Sequence, residues 1–142
     1  REAETVRIAL QAAESGCLVL ATLHTRDAAE AVLRIEGMFP GEEAQVRSQL
    51  SFVLRAVLSQ RLLRAAAGGR VLATEALVAV PAVRNLIRTG KVAQIRSAVL
   101  AGGASGMQTM AQSVEALLRA QRITREVKEQ ALADLDGVLR ER

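Results

Sequence analysis

The chain has 142 residues, half of them hydrophobic, with a formal net charge of +4, one cysteine and one histidine. This length suffices for one domain with a sizeable core, and a single cysteine excludes an internal disulfide. Two phenylalanines without tryptophan or tyrosine argue against base stacking, so we expect no nucleic-acid partner. No apolar segment approaches the ~20 residues of a membrane-spanning helix, and we expect an intracellular, soluble protein.

The first half of the chain predicts helices around one buried strand and a hairpin. Residues 17–23 form a continuous apolar run, which predicts a parallel strand buried on both faces of a sheet. Asp27 and Glu30 have the spacing of a capping box at the start of a helix. Apolar stripes and the Gly68-Gly69 turn signal predict helices over 2–15, 28–38 and 42–59, and hairpin strands over 61–66 and 70–79.

From residue 81 onward the sequence predicts only helices, packed as a small bundle on the sheet portion. Pro81 suits the first position of a helix. Ser105 and Gln108 have the spacing of a second capping box, and Thr124 precedes the last helix. The predicted helices span 81–89, 91–101, the segment from this second box to about 120, and 125–140.

The lone histidine, His24, lies at the carboxyl end of the predicted strand, beside Thr22 and Thr25. Open α/β sheets bind ligands at this end, so these side chains are the first candidates for chemistry. An imidazole can donate to a phosphate oxygen, although a histidine at a strand end can also be purely structural. Cys17 lies roughly 20 Å away along a strand rising ~3.3 Å per residue, which disfavours a metal site and a Cys–His nucleophile pair.

The segment 82–88 predicts an amphipathic helix with a basic face. Val83, Leu86 and Ile87 share its apolar side, whereas Arg84 and Arg88 are four residues apart on another side. Like charges at this spacing repel by roughly a few tenths of a kcal/mol, so acidic partner groups or solvent must offset the repulsion. An ordinary solvated face is the simpler alternative.

Three segments together resemble the secretion ATPases that power type IV pili and type II secretion. Residues 1–5, Arg-Glu-Ala-Glu-Thr, resemble the Arg-Asp-x-Glu-Thr segment that closes the Walker B motif, with Glu2 in place of Asp. Residues 22–25, Thr-Leu-His-Thr, resemble the His box. Residues 82–88 resemble the Ala-Ile-Arg-Asn-Leu-Ile-Arg motif of the pilus retraction branch, with Val83 in place of Ile.

The resemblance implies an α/β fold: residues 1–80 as the C-terminal portion of a RecA-like P-loop ATPase core, and 81–142 as a C-terminal helical region. It implies a homo-hexameric motor that uses ATP and Mg²⁺ at the cytoplasmic base of the pilus, against an inner-membrane platform protein. His24 would sense the γ-phosphate. The other implied site residues are Thr25 and Arg1, the Walker B-adjacent Glu2, Glu4 and Thr5, and a retraction motif of Ala82, Val83, Arg84, Asn85, Leu86, Ile87 and Arg88.

The chain begins without an initiator Met, and it holds no Gly-rich loop ending in Lys-Ser/Thr. We therefore expect a piece of a longer protein that neither binds ATP well nor hydrolyses it alone. One alternative is a pilus-assembly or type II secretion ATPase, although the four-cysteine zinc insertion usual in those proteins is absent here. The other is a non-enzymatic helical module whose basic face docks an acidic partner.

Overall fold

The computed structural model describes residues 2–140, with side chains for residues 2–135. The described residues form helices around a single two-stranded antiparallel sheet. None of the helices in this part of the chain is long and apolar enough to cross a membrane. The elements are α1 (Glu2–Glu14), α2 (Ala28–Gly37), α3 (Glu43–Val53), β1 (Ala56–Arg64), β2 (Arg70–Val78), α4 (Pro81–Arg88), α5 (Ile95–Ala101), α6 (Met110–Arg119) and α7 (Arg125–Arg140), with short 3₁₀ turns at Val92–Gln94 and Gly103–Ser105.

The predicted hairpin is confirmed, although its first strand, predicted over 61–66, spans Ala56–Arg64. Strands β1 and β2 pair without interruption from Ala56 opposite Val78 to Arg64 opposite Arg70. Gly69 in the connecting turn has a φ of 76°, a left-handed conformation that favours glycine. One face of the hairpin contributes Val71 and Ala73 to a buried cluster shared with residues of α6 and α7. The hairpin is thereby held against the C-terminal helices.

The third helix is shorter than predicted, because its apolar spacing continues into a strand. Val57 and Leu58 extend the helical spacing of Val46 and Leu50, which predicts helix up to residue 59, yet α3 ends at Val53. In β1, alternate side chains face opposite sides, so that Ser59 is buried while Leu58 is exposed. The sequence of this segment fits the spacing of a helix and of a strand equally well. Pairing with β2 makes it a strand.

The apolar run 17–23 does not form the predicted strand. Residues 17–25 have no regular secondary structure, and none of the described strands pairs with them. Leu18 and Leu20 are 80% and 88% exposed, which contradicts the predicted burial. An apolar run becomes a buried strand only where neighbouring strands satisfy its backbone groups and other elements cover both faces. The described part of this chain provides neither.

The main core lies where α1 to α5 meet the base of the hairpin. Leu77 of β2, Val83 and Ile87 of α4, and Ile95 of α5 are completely buried. Helix α4 begins with Pro81 at its first turn, as predicted. The predicted helix over 91–101 is confirmed from Ile95 onward, after the 3₁₀ turn.

The capping box predicted at Ser105 is wrong, because Gln108 is engaged elsewhere. The Gln108 side-chain amide donates to the Thr74 carbonyl at 3.1 Å, and its backbone pairs with Ala76 of β2. Helix α6 instead begins after Thr109, in a complete capping box with Gln112. The predicted cap of α7 is confirmed, since the Val127 N–H donates to the Thr124 hydroxyl at 3.4 Å.

Helix α2 buries a carboxyl group. Glu36 is 8% exposed, its Oε2 lies 3.4 Å from Arg47 Nη1, and its Oε1 has no hydrogen-bond partner among the described residues. Burial raises the pKa of the Glu36 carboxyl above its ordinary value, although the Arg47 guanidinium acts in the opposite direction. The folded state therefore holds a proton on Glu36 more tightly than the unfolded state does.

This shift predicts a pH dependence of stability. The stabilising contribution of protonated Glu36 is complete at acidic pH and is lost as the pH rises through the raised pKa. Relative to a Glu36→Gln variant, the native chain should lose free energy of unfolding as the pH rises from about 4 towards neutral. Urea titrations of both proteins across this range measure the difference. A difference that stays constant or moves the other way would contradict the prediction.

Candidate functional site

His24 and Thr25 end the extended segment 17–25 immediately before α2. The His24 side chain is exposed, Thr25 is half-buried, and no described residue hydrogen-bonds the imidazole. The sequence placed His24 at the end of a strand that enters a sheet. The structure instead places it on an accessible segment, where its two ring nitrogens are open to a ligand.

The N-terminus of α2, next to this segment, is already occupied by carboxylates of the chain. The Asp27 carboxylate accepts from the Glu30 N–H at 2.7 Å, which confirms Asp27 as the N-cap. Glu75 of β2 accepts from the Ala28 N–H at 3.0 Å, and Glu30 accepts from the Arg26 N–H at 2.9 Å. This last bond lowers the pKa of the Glu30 carboxyl. A phosphate group would therefore have to displace carboxylates to reach these donors.

The Walker B-adjacent residues lie in the first turn of α1, at Glu2, Glu4 and Thr5, whereas Arg1 lies outside the described residues. The Glu2 carboxylate forms an ion pair with Arg34 of α2 at 3.3 Å. Both side chains are well exposed, so the pair contributes little stability. The pair shows that the start of α1 lies beside α2, the helix that follows the His24 segment.

The predicted retraction motif forms α4. Its apolar side is confirmed, because Val83 and Ile87 are completely buried and Leu86 is half-buried. These residues pack into the main core with Leu77 and Ile95. Because this face of α4 is buried, the opposite side of the helix is turned away from the core.

Arg84 does not lie on a free basic face. Its Nε donates to the Ala79 carbonyl at 2.7 Å, and its Nη1 donates to the carbonyls of Ser51 at 2.9 Å and Phe52 at 2.6 Å. The last two carbonyls belong to the final turn of α3, where intrahelical partners run out. Arg84 thus caps α3 and ties it to the β2–α4 junction. Among the described residues, the hydrogen-bond partners of the Arg84 guanidinium are backbone carbonyls of the chain itself and not acidic side chains.

The accessible part of the motif is smaller than the sequence suggests. Arg88 and Asn85 are exposed, and the Arg88 guanidinium donates to the Asn85 side-chain oxygen at 2.8 Å. Ala82 is also exposed, on the first turn of α4. We call Ala82, Asn85 and Arg88 the exposed motif face. This face is the most accessible part of the motif for another molecule.

The residues present do not make up a complete site for ATP and Mg²⁺. The sequence contains no Gly-rich phosphate loop with its Lys-Ser/Thr end. The N–H groups at the start of α2 are used internally by Asp27 and Glu75. No group of three His, Cys, Asp or Glu residues that could hold a metal occurs in the described part of the chain. His24 is left as the candidate contact to a phosphate.

The family described as "Type II/IV secretion system protein" matches residues 1–131. The chain is 50% identical over 127 residues to the type IV pilus retraction ATPase PilT of Pseudomonas aeruginosa, covering 89% of this chain and 37% of that protein. It is 55% identical over 121 residues to a twitching motility protein of Neisseria gonorrhoeae, covering 84% of this chain and 32% of that protein.

A solved structure of the pilus retraction motor PilT with bound ADP has a similar fold. It superposes with a TM-score of 0.80 at 46% identity, covering 90% of this chain and 36% of the solved one. The α/β class with a hairpin and surrounding helices is thereby confirmed. The chain spans about a third of the length of the curated relatives it matches. Since the family match covers nearly the whole sequence, the chain belongs to the type II/IV secretion system protein family.

Proposed function

We propose that this chain is the C-terminal part of the catalytic domain of a motor ATPase that drives type IV pilus retraction and twitching motility. The observation that carries the proposal is the similarity to a retraction ATPase and a twitching motility protein over 84% or more of the chain. The segment 82–88, which resembles the retraction motif, also favours this branch over the assembly and secretion ATPases. The division into 1–80 and 81–142 stays a prediction.

In the longer protein, ATP and Mg²⁺ would be the cofactors, and His24 would contact the γ-phosphate. The exposure of the imidazole supports this assignment, because a ligand held by other parts of the protein could reach it. Thr25 is the neighbouring polar group, and the first turn of α1 carries Glu2 and Glu4. The described residues alone are expected to be inactive.

The longer protein would work as a homo-hexamer in the cytoplasm, at the pilus base, against an inner-membrane platform protein. The exposed motif face offers a guanidinium and an amide for such a contact. Arg84 would keep this face in position, because it holds α4 against α3. The motif would therefore combine a docking part with a structural part.

Deletion of the gene that encodes this chain tests the proposal. We expect hyperpiliated cells that do not twitch, and restoration of twitching by a plasmid copy. Piliation is counted by electron microscopy, and twitching is measured as the expansion of colonies beneath agar. Cells without pili would instead favour the assembly ATPase, and cells with normal pili and normal twitching would overturn the motor function.

A further inference from the structure

A cleft of about 550 Å³ opens between the hairpin, α5, α6 and α7. This volume is typical of small-molecule binding sites. Such sites are lined mostly by apolar side chains, with a few polar groups. Leu100 of α5 and Leu132 and Leu135 of α7 contribute apolar surface, and Arg61 of β1 contributes a cation. Leu100 is 61% exposed and is therefore accessible from solvent.

Three of the other four charged groups that line the cleft are in ion pairs, and the fourth, Glu75, is hydrogen-bonded to the backbone. The Asp27 carboxylate accepts from Arg96 Nη2 at 2.6 Å, and Glu75 accepts from a backbone N–H of α2 at 3.0 Å. Arg26 pairs with an acid in the first turn of α2 at 3.2 Å. The Arg61 guanidinium lines the cleft, and it has neither a hydrogen bond nor an ion pair with any residue in the described part of the chain. Within the described residues, the cleft thus combines an apolar wall with one guanidinium that has no ion pair, and with the Glu75 carboxylate held by a backbone N–H.

We propose that this cleft binds a small amphipathic carboxylate, with the carboxylate on Arg61 and an aliphatic body on Leu100, Leu132 and Leu135. A guanidinium matches the two oxygens of a carboxylate, and one unpaired guanidinium matches a single negative charge. The lining contains no aromatic residue, so a nucleobase would find no ring to stack on. Leucine side chains instead suit a saturated chain. Arg26 and Asp27 line the cleft two and three residues after His24, which does not itself line it. The proposal does not depend on the motor function.

Calorimetric titration of dodecanoate into the full-length gene product, without nucleotide and below the critical micelle concentration, tests the proposal. We expect saturable binding, and none for dodecyltrimethylammonium, which has the same chain and the opposite charge. Arg61→Gln should weaken the affinity for dodecanoate about tenfold, because a charge-assisted pair is lost. Leu100→Asp should weaken it at least as strongly, since it places a carboxylate in the cleft.

Two variants outside the cleft serve as matched controls. Arg70→Gln removes an arginine from the other strand of the hairpin, and Leu62→Asp alters a leucine that is 61% exposed, as Leu100 is. Both should bind dodecanoate with native affinity, and circular dichroism confirms that each variant is folded. The proposal is overturned if dodecanoate does not bind, if the cationic analogue binds equally, or if the cleft variants bind like the controls. Binding to phosphatidylglycerol vesicles but not to dodecanoate would also overturn it, in favour of a membrane contact.

Discussion

Replacing Arg84 with alanine should lower the free energy of unfolding by about 1.5–3 kcal/mol, the range for hydrogen bonds made by charged groups. The variant loses the bonds to Ala79, Ser51 and Phe52, and it leaves two carbonyls in the last turn of α3 without their donor. Leaving such carbonyls unpaired lowers the free energy of unfolding more than the loss of an exposed contact does. Urea unfolding followed by circular dichroism measures the change.

Arg88→Ala is the matched control on the same helix. The Arg88 side chain is exposed, and its one recorded hydrogen bond is to the neighbouring Asn85, so the change should stay within about 0.5 kcal/mol. Arg84→Lys keeps the charge but lacks the planar fork that reaches three carbonyls, and it should rescue only part of the loss. Equal unfolding midpoints for Arg84→Ala and Arg88→Ala would show that the cap contributes no stability.

These variants also separate two roles within the proposed retraction motif. If pili fail to retract in an Arg84→Ala strain, the cause includes a displaced α4, because the residue is bonded inside the fold. A retraction defect in a stable Arg88→Ala protein would instead report on the exposed motif face. The sequence alone treats both arginines as equivalent, since it shows only that they are four residues apart.

Local patterns predicted the elements whose partners lie nearby in the chain. Pro81 starts α4, and Asp27 caps α2 through a backbone group three residues later. The role of Arg84 was missed because its partners Ser51 and Phe52 are 33 and 32 residues away. Gln108 is engaged by Thr74, 34 residues away, and the predicted cap failed for the same reason.

The same physical reason explains the wrong strand and the unforeseen cleft. A buried parallel strand depends on neighbouring strands and covering elements, and the apolar run 17–23 specifies only its own hydrophobicity. Residues 54–59 fit a helix and a strand equally well until β2 is placed beside them. The cleft joins Arg61, Leu100 and Leu132 from three elements, and no spacing in the sequence relates them.

Replacing His24 with alanine in the full-length protein should leave nucleotide affinity nearly unchanged but lower ATP hydrolysis by about 10²-fold, as for the loss of one preorganised donor. We expect the fold and the nucleotide affinity to be retained because the imidazole is exposed, packs against no core residue and holds no element in place. Phosphate release measures hydrolysis, and titration with a fluorescent nucleotide measures affinity.

The segment that carries His24 also offers a matched control. Cys17 lies in the same extended segment and is also exposed, so Cys17→Ser should leave both hydrolysis and affinity at native values. His24→Asn retains a hydrogen-bond donor on a shorter side chain and should restore part of the rate. Native hydrolysis and normal twitching in His24→Ala cells would exclude a phosphate-sensing role. A parallel loss of affinity and rate would instead make His24 a binding residue, because a group that acts only in the transition state lowers the rate without lowering affinity.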